Sequence, residues 1–189
     1  MITPNEYVQL KAFARQDGAL LALLWVFTST LYIIGMTNQL MGLAAAMLIF
    51  YTPFFVGGRL RKFRDYAREG LISFRRGYAY TVFMFFYAGV LFAVATYVYL
   101  TFMDHGFLMS QMSKVLTSDE ARQAMQQYGM TEMMNESLSQ LAKVRPIDYA
   151  LDMLTVNITL GFILGVPISL MMQRNVAKTE KKTNKRVEE

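Results

Sequence analysis

Residues 57–77 read GGRLRKFRDYAREGLISFRRG and stand between two apolar runs, 40–56 and 78–103. Seven cations fall in this stretch: Arg59, Arg61, Lys62, Arg64, Arg68, Arg75 and Arg76. Leu60, Phe63, Ala67, Leu71 and Phe74 recur on the opposite helical face. A basic amphipathic segment flanked by apolar runs is expected to lie in the headgroup plane of a bilayer. Two more apolar runs, 18–36 and 153–172, lie outside this pair. A helix needs about 20 apolar residues to cross a ~30 Å hydrocarbon core, and all four runs fall in or near that length. The sequence therefore predicts an all-α integral membrane four-helix bundle, with a four-span domain over 1–176.

Charge placement sets the expected orientation. Lys11 and Arg15 precede the first run, and Arg174, Lys178, Lys181, Lys182, Lys185 and Arg186 follow the last. With connector 57–77 they put 15 of the 19 basic residues on one side of the membrane, against Lys114, Arg122, Lys143 and Arg145 on the other. The excess of Lys and Arg in cytoplasmic loops puts both termini inside and connector 104–152 outside. Run 18–36 is too long for a cleavable leader, and no small-residue cleavage site follows Met36, so it is expected to stay as a signal anchor. Residues 177–189, polar and charged with almost nothing apolar, are expected to form a disordered basic cytoplasmic tail.

Composition narrows the chemistry. Of the 189 residues, 54% are hydrophobic, 17% are charged and none is Cys. Disulfides, thiolate catalysis and metal–thiolate sites are excluded, and with one His a transition-metal site is not expected. The net charge of +5 suits anionic lipid better than nucleic acid in such a chain. No phosphate-binding Gly loop, nucleophile elbow or His-Glu-x-x-His motif is present. No cofactor is expected, and a non-enzymatic role is favoured over catalysis.

Local signals fill in the rest. Tyr7, Leu10, Phe13 and Ala14 recur at helical spacing and predict an interfacial helix that runs into the first span. Thr37–Gln39 make a tight turn, and Pro53 is expected to kink or end the second span. Tyr78, Tyr80, Tyr97 and Tyr99 lie toward the ends of the third, where aromatic belts form. In the long outer connector, Thr117-x-x-Glu120 reads as a capping box for a helix ending near Gly129. A second helix, capped by Thr131, completes an external helical hairpin. Its Met109, Met112, Met125, Met130, Met133 and Met134 suit an adaptable surface.

Three sets of residues are candidates for function. The seven cations of connector 57–77 suit a lipid headgroup, a phosphate or a partner, because guanidinium groups match phosphate oxygens in bidentate fashion. Gly161-x-x-x-Gly165 permits close helix contact, within the chain or in a homodimer, and Asn157 offers an interhelical hydrogen bond. Asp104, His105, Asp148 and Asp152 sit at the outer boundary as a candidate polar site. No ionisable residue falls deep within the apolar runs, which weighs against a proton-coupled carrier. The alternatives to a membrane anchor or accessory subunit are a small homo-oligomeric transporter or channel built around Asn157, and an enzyme using Asp148 and Asp152.

The run Tyr7-Val-Gln-Leu-Lys-Ala-Phe-Ala-Arg-Gln-Asp-Gly18, the Trp-containing first span, the Gly57-Gly58-Arg59 to Phe63 stretch and Phe74-x-x-Gly77 resemble an uncharacterised membrane family of Bacteroidota, domain of unknown function 4199. The resemblance covers nearly the whole chain. It implies the inner membrane of a Gram-negative cell and a polyprenyl-phosphate glycosyltransferase as a possible partner. It assigns no catalytic residue.

Overall fold

Four runs of apolar residues become four long helices, because in a bilayer an intrasegment ladder is the one way a single segment satisfies its own backbone. The computed structural model describes residues 4–141 and 143–174. Its helices are α1 (Pro4–Gly35), α2 (Gln39–Ala67), α3 (Phe74–Phe102), α4 (Phe107–Leu116), α5 (Asp119–Gln127), α6 (Thr131–Leu141) and α7 (Pro146–Met172). Helices α1, α2, α3 and α7 are long and apolar enough to cross a membrane. No strand occurs among the described residues, and an isolated bridge pairs Ile72 with Arg174. The tail expected over 177–189 lies outside the described residues.

All four helices outrun their apolar cores. The predicted interfacial helix and first span are one element, α1. In α7 the helix starts at Pro146, seven residues before the apolar run. Its N-terminus carries a cap in which the backbone amide of Arg145 donates to Asp148. The α1–α2 turn is held by Asn38, whose side chain accepts from the Leu40 amide at 3.1 Å. A Cβ on Gly35 would lie 2.5 Å from the Gly42 Cα, so small residues permit this hairpin.

Connector 57–77 departs from expectation. Helix α2 does not end at Pro53 and no separate surface helix follows; α2 continues through Gly57 and Gly58 to Ala67. Proline deletes one ladder bond, which neighbouring packing in a membrane protein offsets. Gly57 lies against Met172 of α7. The apolar face of Leu60 and Phe63 is buried in the protein rather than laid in the headgroup plane. Phe63 stacks on Tyr80 with centroids 4.7 Å apart and meets Phe13 at 5.3 Å. Tyr80, expected in an aromatic belt, is accordingly fully buried. The chain then reverses through Glu69 and Gly70, both at positive φ (51° and 79°).

Helix α3 is central, packed on α7 and α1, while α2 leans mainly on α1. The core gathers toward the end where the start of α1, the end of α2, the start of α3 and the end of α7 meet, around Leu21, Leu60, Tyr80, Met84, Phe85 and Ile168. Away from it, Met47, Phe50 and Phe54 on α2 are more than 70% exposed, an apolar surface suited to acyl chains. Trp25 packs inside, on Phe85 and Phe92.

Connector 104–152 holds three short helices, not a hairpin of two. Helix α4, absent from the expected hairpin, is started by a local bond: buried Asp104 accepts from the Leu108 amide, four residues on, at 3.1 and 3.2 Å. Ser118 caps α5 by accepting from the Ala121 amide at 3.2 Å, while the Thr117 hydroxyl donates back to the Ser113 carbonyl. The expected cap is thus displaced by one residue. Helix α6 begins with Thr131 as its first residue rather than as its cap, and the Met134 amide donates to the Met130 carbonyl. In α5 and α6 no side chain is buried, and Met133 stands exposed.

Candidate functional site

On α1, the stripe Leu10, Ala14, Asp17, Leu21 faces the core, and every member is buried. A helix brings positions i, i+4, i+7 and i+11 to one face, so the stripe that seats two leucines also carries a carboxylate inward. Asp17 is 3% exposed. Arg59 of α2 donates to Oδ1 through Nε at 2.7 Å and also through Nη2, and the Tyr80 hydroxyl of α3 donates to Oδ2. One carboxylate therefore ties three helices. A buried charge is tolerated when it is paired and its remaining lone pairs are occupied, and Asp17 meets both conditions. The sequence reading placed Asp17 outside the first span, at the edge of its apolar run, and missed this role.

A second carboxylate repeats the device nearer the helix ends. Glu6 accepts from Arg68 Nη2 at 2.7 Å through one oxygen and from Arg76 Nη2 at 2.8 Å through the other. Arg64, 4% exposed, donates from Nε to Asp65 at 2.7 Å and from Nη1 to the carbonyl of Met172, the last residue of α7, at 3.0 Å. A cation at that place satisfies an orphan carbonyl and opposes the helix dipole.

The seven cations of 57–77 thus divide. Arg59, Arg64, Arg68 and Arg76 hold helices together. Arg61 is exposed, with Asp65 at 3.7 Å, and Lys62 and Arg75 are exposed. Lys62 and Arg75 pair with no carboxylate among the described residues.

Gly161 and Gly165 face α3 of the same chain: a Cβ would lie 2.5 Å from the Phe85 Cβ at Gly161 and 3.1 Å from the Tyr78 ring at Gly165. This pair is occupied inside the protein. Asn157 is buried beside Gly89 of α3. Asp104 caps α4. His105, at φ 48°, is exposed with Nδ1 2.9 Å from the Met103 carbonyl. Asp148 takes two bonds of 2.8 Å from Arg145, which push that guanidinium's pKa up from its ordinary value. Asp152 is exposed. Among the described residues, no group of three or more His, Cys, Asp or Glu side chains is placed to hold a metal ion.

Residues 17–174 match a family described as protein of unknown function (DUF4199). Comparison with curated proteins and with solved structures finds no match.

Proposed function

The chain belongs to the DUF4199 family, and from that premise we propose that it is a non-catalytic membrane anchor or accessory subunit that works through anionic lipid and a membrane or cytoplasmic protein partner. The observation that carries this reading is the division of the cations at one end of the helices. Four arginines are committed to contacts within the chain, while Arg61, Lys62 and Arg75 stand exposed beyond what folding uses. The ends of α1, α2, α3 and α7 meet there, as the Glu6–Arg76 pair and the Ile72–Arg174 bridge require. The excess of Lys and Arg at that end supports a cytoplasmic location for it, and the family resemblance is the ground for proposing the inner membrane of a Gram-negative cell. A glycosyltransferase using polyprenyl phosphate is one partner of the right chemistry, since its substrate brings phosphate to the same surface.

A basic side chain near an anionic leaflet contributes about 1 kcal/mol, so the exposed cations together bias the adjacent lipid strongly. The test compares tagged wild type with an Arg61→Gln, Lys62→Gln, Arg75→Gln variant, each gently extracted from native membranes, with co-purifying lipids quantified. Wild type should be enriched in anionic lipid, and the variant, equally folded, should lose most of that enrichment. Equal lipid profiles would overturn the proposal.

A further inference from the structure

The turn from α2 to α3 and the end of α7 enclose an open cleft of about 480 Å³. Its place is fixed by the backbone. The Ile72 amide donates to the Arg174 carbonyl and the Arg174 amide to the Ile72 carbonyl, both at 3.0 Å. This pins the chain leaving α7 against the turn and brings Arg174 to the cleft wall with Arg68 and Arg76.

The wall is supplied with donors. Arg68 and Arg76 each use one Nη on Glu6, and a guanidinium has five N–H groups in a planar fork, so donors remain on both. The Arg174 side chain is exposed and forms no ion pair among the described residues. The Ser73 hydroxyl, also at the wall, makes no capping bond to α3. Leu71 and Ile72 give the cleft an apolar side, and one acidic residue, Glu69, is part of the lining beside the three arginines. Glu6 already shows what Arg68 and Arg76 recognise together: one planar anion placed between two forks.

We propose that this cleft is a discrete phosphate-binding site, in which Arg68, Arg76, Arg174 and Ser73 take the oxygens of one phosphate group while Leu71 and Ile72 contact the apolar part of the molecule that carries it. Three guanidiniums and a hydroxyl offer more donors than a planar carboxylate takes and suit a phosphate, whose oxygens guanidiniums match in bidentate fashion. The volume suits a headgroup rather than a whole lipid. The site deepens the lipid-contact reading above and rests on it for one source of the phosphate, a lipid headgroup; the other source is a free phosphate ester.

The test uses the full chain in phosphatidylcholine nanodiscs. Some contain phosphatidic acid and others phosphatidylglycerol. A lipid-neutral set receives glycerol phosphate in solution. Native mass spectrometry counts what stays bound. The variants are Arg174→Gln with Ser73→Ala, both at exposed positions, and Lys62→Gln with Arg75→Gln, outside the cleft. Wild type should retain one phosphate-bearing molecule per chain, and the cleft variant should hold it about tenfold or more weakly, as expected when the Arg174 and Ser73 contacts are lost. The second variant should keep that molecule while losing diffuse anionic lipid. Retention of phosphatidic acid or phosphatidylglycerol identifies a lipid source. Retention of glycerol phosphate, with no anionic lipid held, supports the cleft and removes the lipid reading. Anionic lipid lost only with Lys62 and Arg75 overturns the cleft and leaves the broader reading standing. Wild type indistinguishable from both variants overturns both.

Discussion

Gly161→Ala should destabilise the protein, and Gly58→Ala should not. At Gly161 an added Cβ would sit 2.5 Å from the Phe85 Cβ and 3.0 Å from its Cγ, against a comfortable carbon–carbon separation of about 3.5–4.0 Å. The near atom is a Cβ, so no rotamer change of Phe85 relieves it. The ring is also fully buried and packs on Trp25. Helix α3 must retreat from α7 by about 1 Å. Overpacking of this kind costs about 1–3 kcal/mol, and the rigid neighbour puts Gly161 at the upper end. Alanine returns about 1 kcal/mol of helix propensity, which leaves a net loss of about 2 kcal/mol. Gly58 is also inside a helix, but nothing lies within 4 Å of its added Cβ, so the propensity gain of about 0.5–1 kcal/mol stands alone. Trp25, the one tryptophan, reports the packing directly by fluorescence during heating in detergent. For a chain of this size the midpoint should fall by about 4–8 °C in Gly161→Ala and rise by about 1–4 °C in Gly58→Ala. A Gly161→Ala midpoint equal to wild type would mean that α3 and α7 do not approach as described. A loss at Gly58 as large as at Gly161 would show that glycine content alone, not contact, sets the effect.

Asp17→Ala leaves Arg59 and the Tyr80 hydroxyl without their shared partner. Because the Arg59 side chain keeps 24% exposure, the cost should be about 2–3 kcal/mol, below that of a fully buried pair. Adding Arg59→Met should recover part of it, and strictly additive losses in the thermal double-mutant cycle would refute the tie. Ser169→Ala should be neutral or stabilising by up to about 1 kcal/mol, since its buried Oγ has no hydrogen-bond partner and an unsatisfied hydroxyl carries a desolvation cost. A fall in melting temperature of several degrees would show that the hydroxyl is bonded after all.

What the sequence revealed was whatever one helix states about itself. Four apolar runs announce four long helices, and Gly161-x-x-x-Gly165 announces a close contact. The α2 boundary was illegible because Pro53, Gly57 and Gly58 are local stop signals, and packing of Val56, Gly57 and Leu60 overrides them. The ties of Asp17 span 42 and 63 residues along the chain, a separation that no local pattern encodes. One signal was present all the same. The stripe that begins at Leu10 and Ala14 reaches Asp17 before it reaches Leu21, and an acidic residue in register with a buried face asks for a partner. Reading hydropathy alone, with Asp17 at the edge of an apolar run, assigns it to water.

Lipid tails are as apolar as leucine, so burial drives helix association weakly in a bilayer, and packing and polar contacts carry more of it. In this chain the polar part is drawn from the same basic cluster from which the orientation is inferred. Arg59 ties α2 to α1 and α3 through Asp17, Arg64 ties α2 to α7, and Arg68 and Arg76 meet at Glu6. Topology, stability and surface charge are therefore not independent variables here. Neutralising all seven cations of 57–77 would remove the proposed lipid attraction and the ties among four helices in the same step, so a lost phenotype would say nothing about lipid. Restricting the change to Arg61, Lys62 and Arg75 separates the two, because those side chains carry charge at the surface while the helix contacts remain in place.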